Sequence, residues 1–286
     1  MTINTLFGKG KTIFSIEIFP PKKTDNIDTL YSVLDRMAAI EPAYISVTYG
    51  AGGSVANNLT CRIADDIRTR YGIEPLPHLT CIHNTAAQID EYLEQLRSLG
   101  IGNVLALRGD RRPDCPVSTD FTYASDLVEY IAKKGGFNIV GACYPVPHPE
   151  AASREQDIDN LKRKVDAGVT SLNSQLFFDN DDFYTFRDMA RAKGINVPIE
   201  VGIMPVTNRS SIERVVAGCG VSLPSKFTRM MARYGDDQQA MMDAGIAYAI
   251  DQIVDLVTEG VDGVHLYAMN KPDIAVRIYE AVKNLL

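Results

Sequence analysis

Eight short apolar or β-branched runs punctuate this 286-residue chain, and a stretch with helical spacing follows each of them. The runs are Ile13 to Ile18, Tyr44 to Tyr49, Leu76 to Cys81, Val104 to Leu107, Asn138 to Tyr144, Ser171 to Phe177, Pro198 to Ile203 and Val264 to Ala268. The helical stretches are Ile27 to Ala39, Ala56 to Tyr71, Ala86 to Leu99, Tyr123 to Lys134, Arg154 to Ala167, Asp181 to Lys193, Ala240 to Glu259 and Pro272 to Leu285. Strand alternating with helix is the pattern of βαβ units, because parallel strands must be joined by crossovers. Eight such units in this length predict an α/β fold, a single (β/α)8 TIM barrel over residues 1–286. A doubly wound sheet would carry a G-x-G-x-x-G turn after a strand, and the chain has none. No fixed-period repeat, low-complexity tract or Pro/Ser-rich linker marks a second domain.

Alternation inside the strands says which way the chemistry faces. Ser15 and Glu17 share one face of the first strand against Phe14, Ile16 and Ile18, and the split recurs in Ser46/Thr48, His78/Thr80, Asn173/Gln175 and His265/Tyr267. The apolar face meets the helix layer. A polar face in five strands exceeds what a packed barrel centre tolerates without partners, and it predicts a wet or ligand-filled barrel mouth. In the fourth unit, Val104-Leu105-Ala106-Leu107 ends abruptly in Arg108-Gly109-Asp110, placing a base and an acid at the carboxyl end of a strand, where α/β folds bind ligands. Arg-Gly-Asp is also an adhesion tripeptide, but that use needs an exposed loop rather than a strand end. Gly50-Ala51-Gly52-Gly53, after the second strand, reads equally as a tight turn or as a place for ligand to approach backbone.

Composition excludes several partners. With 45% hydrophobic and 23% charged residues, the chain can bury a large core. A formal net charge of −7, with Lys162-Arg163-Lys164 the densest basic run, argues against nucleic acid and anionic membrane surfaces. Five cysteines (Cys61, Cys81, Cys115, Cys143, Cys219) lack any C-x-x-C pair, so neither a disulfide framework nor a metal site is expected, and a reducing cytoplasm is. No leader or membrane-length apolar run is present in the sequence.

Six blocks then carry a family resemblance: Ser15-Ile16-Glu17-Ile18-Phe19-Pro20-Pro21-Lys22, Val47-Thr48-Tyr49-Gly50-Ala51-Gly52-Gly53-Ser54, Pro77-His78-Leu79-Thr80-Cys81, Leu107-Arg108-Gly109-Asp110, Tyr123-Ala124-Ser125-Asp126-Leu127 and Leu161-Lys162-Arg163-Lys164-Val165-Asp166-Ala167-Gly168. Jointly and in this order they resemble the methylenetetrahydrofolate reductase family. The resemblance implies a flavin-bearing barrel that reduces 5,10-methylenetetrahydrofolate to 5-methyltetrahydrofolate in one-carbon metabolism and methionine biosynthesis. It implies the catalytic barrel alone, since no regulatory domain follows Leu286.

Under that resemblance, Glu17 is the candidate general acid. Opening the methylene bridge to an iminium at N5 needs a proton at N10, and an inward carboxyl in a partly desolvated mouth has the raised pKa this requires. Asp110 matches the family aspartate near flavin and pterin, where an anion accepts N–H groups and favours a developing cation. Gln175 offers donor and acceptor to the pterin edge, and Tyr267 and Lys271 complete the substrate set. By motif, Thr48, His78, Arg108, Gly109, Asp110, Tyr123, Ala124, Tyr144, His148, Asp157, Asn160, Arg163 and Lys164 match positions that line the family's FAD site. Arg163 and Lys164 suit a pyrophosphate, Thr48 and Asn160 are neutral hydrogen-bonding groups, and Tyr144 can stack or donate.

Two departures fall on the shared folate and nucleotide pocket. After Pro205-Val206-Thr207-Asn208 the family has a short helix bearing a glutamine and a phenylalanine, where this chain has Ser211 and Val215. Near the end, Tyr267-Ala268-Met269-Asn270-Lys271 stands for Tyr-Thr-Leu-Asn-Arg, so a bidentate arginine becomes a single-point lysine. The donor is therefore left open between NADH, NADPH and an electron-transfer protein partner, with a non-catalytic flavin- or folate-binding subunit as the reading of a different class. A homo-oligomer is the expected assembly.

Overall fold

Eight parallel strands close on themselves in sequence order, each paired with the next and the last with the first. The computed structural model describes all residues except 22–26, 50–58, 114, 211, 213–215 and 217–219. Along the chain come β1 (Ile13–Ile18), α1 (Ile27–Ala38), β2 (Tyr44–Val47), α2 (Leu59–Tyr71), β3 (Glu74–Thr80), α3 (Ala86–Ser98), β4 (Asn103–Leu107) and α4 (Ala124–Lys134). There follow β5 (Asn138–Cys143), α5 (Arg154–Asp166), β6 (Ser171–Ser174), α6 (Asn180–Ala192), β7 (Ile199–Ile203), α7 (Ser225–Tyr234), α8 (Gln238–Thr258), β8 (Gly263–Leu266) and α9 (Pro272–Val282). The expected (β/α)8 barrel is therefore the observed one.

Local chemistry explains where the helices start. Thr85 caps α3 in a capping box with Gln88, Ser153 accepts the Gln156 N–H at the head of α5, and Asp237 accepts from Gln239 and Ala240 at the head of α8. The barrel helices turn apolar stripes to the sheet, as in Leu30, Leu34 and Met37 of α1 and Ile89, Leu93 and Leu96 of α3, which are buried against the outward residues of the strands. A second apolar cluster, of Ile3, Phe7, Tyr44, Leu76, Leu105 and Val140, fills the amino-terminal end of the barrel, where Ile3 N–H donates to Asn103 Oδ1 at 2.9 Å. The barrel is thus stoppered at one end and open at the other.

The structure adjusts the sequence reading in two ways. α7 is an additional helix, docked through Phe227 against Phe178 and Tyr248. The strands expected to reach Tyr49, Tyr144, Phe177 and Ala268 stop at Val47, Cys143, Ser174 and Leu266. The ladder ends first, and Thr48, Tyr144, Gln175 and Tyr267 lie just past it on the rim. Ser211, Val215, Cys219, the Gly50 to Gly53 turn and the proposed helix start at Ala56 lie outside the described residues. Among the described residues, no helix is long and apolar enough to cross a membrane.

Candidate active site

A cavity of about 700 Å³ occupies the open, carboxyl-terminal end of the barrel. Glu17, Thr48, His78, Arg108, Gly109, Asp110, Tyr144, His148, Gln175 and Tyr267 line it, so every strand from β1 to β6, with β8, delivers at least one residue anticipated from sequence, on the strand or just past its end. The others stand off its wall. Tyr123 and Ala124 open α4, with Tyr123 60% exposed. Asn160 and Arg163 are exposed on α5, whereas Asp157 on the same helix accepts the His148 N–H at 3.1 Å and fixes the loop that carries it. Lys164 runs inward behind the cavity, its ammonium donating to the Ala142 carbonyl, and burial pushes its pKa down. Lys271 donates to Thr207 Oγ1 at 2.9 Å.

The inward polarity read from five strands resolves into two layers. In the upper one, Glu17, Thr48, Thr80, Gln175 and Tyr267 face the cavity, as expected of a ligand-filled mouth. The lower one departs from that expectation: Ser15, Ser46, Asn173 and His265 are buried and bond to one another through Tyr44 and Glu200, with Asn173 and His265 also forming part of the cavity wall. This layer is satisfied from within the protein, apart from Asn173 Oδ1.

Glu17 sits at the boundary between the layers. Its Oε2 is 3.6 Å from His78 Nε2, and its side chain keeps only 19% of its exposure, through the cavity. Desolvation raises its pKa from 4.5 to about 8 and lowers that of His78 from 6.5 to about 3. At neutral pH the pair is a carboxylic acid facing a neutral imidazole. Among the described residues His78 Nε2 has no hydrogen-bond partner, which leaves it, in the Nδ1–H tautomer, ready to accept a hydrogen bond.

The β4 loop supplies the charge. Arg108 forks onto Glu150 at 2.6 and 2.9 Å, a bidentate pair on the cavity rim. Gly109 has φ +85°, and a Cβ there would lie 3.0 Å from Thr80 Cβ, so only glycine lets the chain turn Asp110 over β3. His83 lies between two backbone carbonyls, Pro116 O at 2.8 Å from Nδ1 and Asp110 O at 3.1 Å from Nε2, and its tautomer decides which of them it donates to. Across the mouth, Asn270 (φ +54°) locks the end of β1 with two bonds to the backbone of Phe19, at 2.8 and 3.1 Å.

Sequence reasoning missed His83, Arg112 and Met204 on the wall, and Glu200 and Tyr44 beneath it. Loop residues such as His83 carry no periodic signal. Glu200 did carry one, as a lone acid inside the apolar run Ile199 to Ile203.

Fold and cavity together define a (β/α)8 barrel with a cavity at its carboxyl rim that carries a neutral acid on its wall. Within that class the chain belongs to the methylenetetrahydrofolate reductase family, whose profile, described as "Methylenetetrahydrofolate reductase", matches residues 2–283. It is 36% identical over 291 residues to methylenetetrahydrofolate reductase (NADH) 1 of Arabidopsis thaliana, covering 96% of this chain and 49% of that protein. To the 5,10-methylenetetrahydrofolate reductase of Escherichia coli (strain K12) it is 36% identical over 270 residues, covering 94% of this chain and 90% of that one. The chain thus spans about half the length of the plant relatives and nearly all of the bacterial one. Among solved structures, a Clostridium thermocellum protein that binds two copies of 5-methyl-5,6,7,8-tetrahydrofolic acid superposes with a TM-score of 0.66 over 96% of both chains, and at 11% identity this is a likeness of fold.

Proposed function

We propose that this chain reduces 5,10-methylenetetrahydrofolate to 5-methyltetrahydrofolate, with FAD bound in the cavity and NADH as donor. The observation that carries the reading is Glu17, a carboxyl kept neutral on the cavity wall of a chain in this family. The names of the plant relatives favour NADH over NADPH, and the folate bound by the Clostridium structure is in keeping with the substrate.

The residues present fit a flavin dinucleotide. Arg108 stands on the rim forked onto Glu150, which a phosphate would have to displace, Thr48 and the amide of Gln175 would hydrogen-bond neutral groups, and Tyr144, packed edge-on to His148 at 5.0 Å, offers an aromatic face. Asn160, Arg163 and Lys164 on α5, with Asp157 and the Tyr123–Ala124 start of α4, are the proposed continuation of that site toward the adenosine half. When bound, reduced FAD supplies the hydride.

The chain's own groups do the remainder. Glu17 delivers its proton to folate N10, opening the bridge so that the N5 carbon becomes electrophilic. Asp110 accepts from the pterin N–H groups and favours the positive charge that develops. Gln175 Oε1 is held by the Leu176 N–H at 2.9 Å, which orients its amide for the same edge. Tyr267, whose hydroxyl donates to Ser174 O at 2.7 Å, and Lys271 are the proposed folate contacts. The free cysteines Cys61, Cys81, Cys115 and Cys143 suit a reducing cytoplasm.

The test is direct. Purified protein titrated with FAD should turn yellow, bleach under anaerobic NADH, and recover its colour on adding methylenetetrahydrofolate. A protein that takes up no FAD refutes the cofactor; one that bleaches but never reoxidises with the folate refutes the substrate.

A further inference from the structure

Below the cavity a second carboxyl is buried that the scheme above does not use. Glu200 projects inward from β7 and is fully buried, and a Cβ on Gly263, its partner in register on β8, would fall 2.5 Å from Glu200 Cγ. The barrel wall is therefore kept bare to admit this side chain. We propose that Glu200 is a positioning residue whose protonation state sets the tautomer of His265, on the cavity wall, through the hydroxyl of Ser15.

Hydrogen-bond accounting carries the inference. Tyr44 OH accepts from Asn173 Nδ2 at 2.8 Å and spends its own proton on Glu200 Oε2, so a proton on Glu200 must sit on Oε1. Oε1 faces Ser15 Oγ at 2.7 Å, Ser15 Oγ faces His265 Nδ1 at 2.6 Å, and His265 Nε2 faces Ser46 Oγ at 3.1 Å. Ser15 has one proton to give, and the Val264 carbonyl, its third neighbour, is the most distant at 3.5 Å, so Glu200 and His265 are its near partners. When Glu200 is ionised, Ser15 donates to it and accepts from Nδ1–H, which leaves Nε2 to accept from Ser46. When Glu200 is protonated it donates to Ser15, Ser15 donates to Nδ1, and the ring proton moves to Nε2, which donates to Ser46. One proton taken up at Glu200 reverses every bond in the chain while the imidazole stays neutral. Ser46 is in register with Glu17, so the dipole beneath the acid reverses with it.

Among the described residues, the surroundings of Glu200 are uncharged apart from one neighbour. From β1 it meets Ser15, from β2 Tyr44, from β6 Asn173 and from β8 His265, with Tyr267 above; Asp262, tied to Arg191 at 3.5 Å, is the charge that acts on it from below. Burial outweighs the two donated hydrogen bonds and raises its pKa from 4.5 to about 7, and burial lowers His265 from 6.5 to about 3.

The chain has four histidines, so ¹⁵N-histidine labelling gives a readable spectrum, with His265 assigned by its loss in His265→Asn. The experiment follows the ring ¹⁵N shifts of the purified protein, without flavin or folate, from about pH 5.5 to 8.5. His265 should pass from Nε2–H to Nδ1–H as pH rises through the Glu200 transition. Glu200→Gln, whose amide can only donate to Ser15 while its oxygen serves Tyr44, should hold the Nε2–H form throughout. Ser15→Ala should abolish the pH response. A single wild-type tautomer across the range overturns the proposal, as does a transition that survives Ser15→Ala; these two measurements decide it even if Glu200→Gln does not fold.

Discussion

Glu17 Oε2 and His78 Nε2 approach to 3.6 Å without forming an ion pair, because burial acts on both in opposite senses. It raises the carboxyl to about 8 and lowers the imidazole to about 3, where mutual attraction would have moved each the other way. The result is a stored proton beside an acceptor that does not compete for it.

Glu17→Gln keeps size and much of the hydrogen bonding but cannot release a proton to N10. Stopped-flow mixing of reduced protein with methylenetetrahydrofolate should show a loss on the order of 10²-fold or more, while flavin reduction by donor stays near wild type. Equal losses in both half-reactions would make Glu17 structural. In the wild type, the folate half-reaction should fall as pH rises through about 8, as the acid form disappears.

Stability should have a plateau in pH. The folded values of Glu17 and Glu200, about 8 and about 7 against 4.5, mean that their contribution is fully present below 4.5 and lost as pH rises to 8. His78 and His265, at about 3 against 6.5, contribute above 6.5 and lose that contribution as pH falls to 3. Between 4.5 and 6.5 two protons gained offset two lost. Above 6.5 the carboxyls act alone, and below 4.5 the imidazoles do, each at up to about 1.4 kcal/mol per pH unit. Urea unfolding against pH should show this shape, and Glu17→Gln/Glu200→Gln should flatten the alkaline side; an unchanged alkaline slope would mean that both carboxyls are ionised in the native protein.

Asp110→Asn should leave the fold and flavin binding in place and move the flavin potential upward, since a negative charge beside the flavin disfavours its anionic reduced form. Spectroelectrochemical titration reads this directly, and a lowered or constant potential would place Asp110 elsewhere.

Gly109→Ala should cost about 1–2 kcal/mol of stability and weaken FAD binding, because φ +85° and the 3.0 Å approach to Thr80 Cβ both penalise a side chain. A melting temperature and a flavin dissociation constant equal to wild type would show that the loop relaxes freely.

The barrel was legible because its signals are local. Eight apolar runs with period two, separated by helical stripes with cap residues such as Thr85 and Ser153, leave few folds open, and the same alternation sent Glu17, Thr48, His78 and Gln175 inward. Arg108, Gly109 and Asp110 were found as a strand end, and the ladder does stop at Leu107. The sequence could not say which inward residues stand at the same height. That depends on strand stagger around the closed barrel, which brings Ser15, Tyr44, Asn173, Glu200 and His265 from five strands into one buried layer and leaves Glu17 above it. Nor could it say that Glu150 would neutralise Arg108, 42 residues away, or that Lys164 would turn inward to Ala142. Periodicity fixes the face a side chain points to. Its partners, and through desolvation its charge, are set only when the eight strands meet.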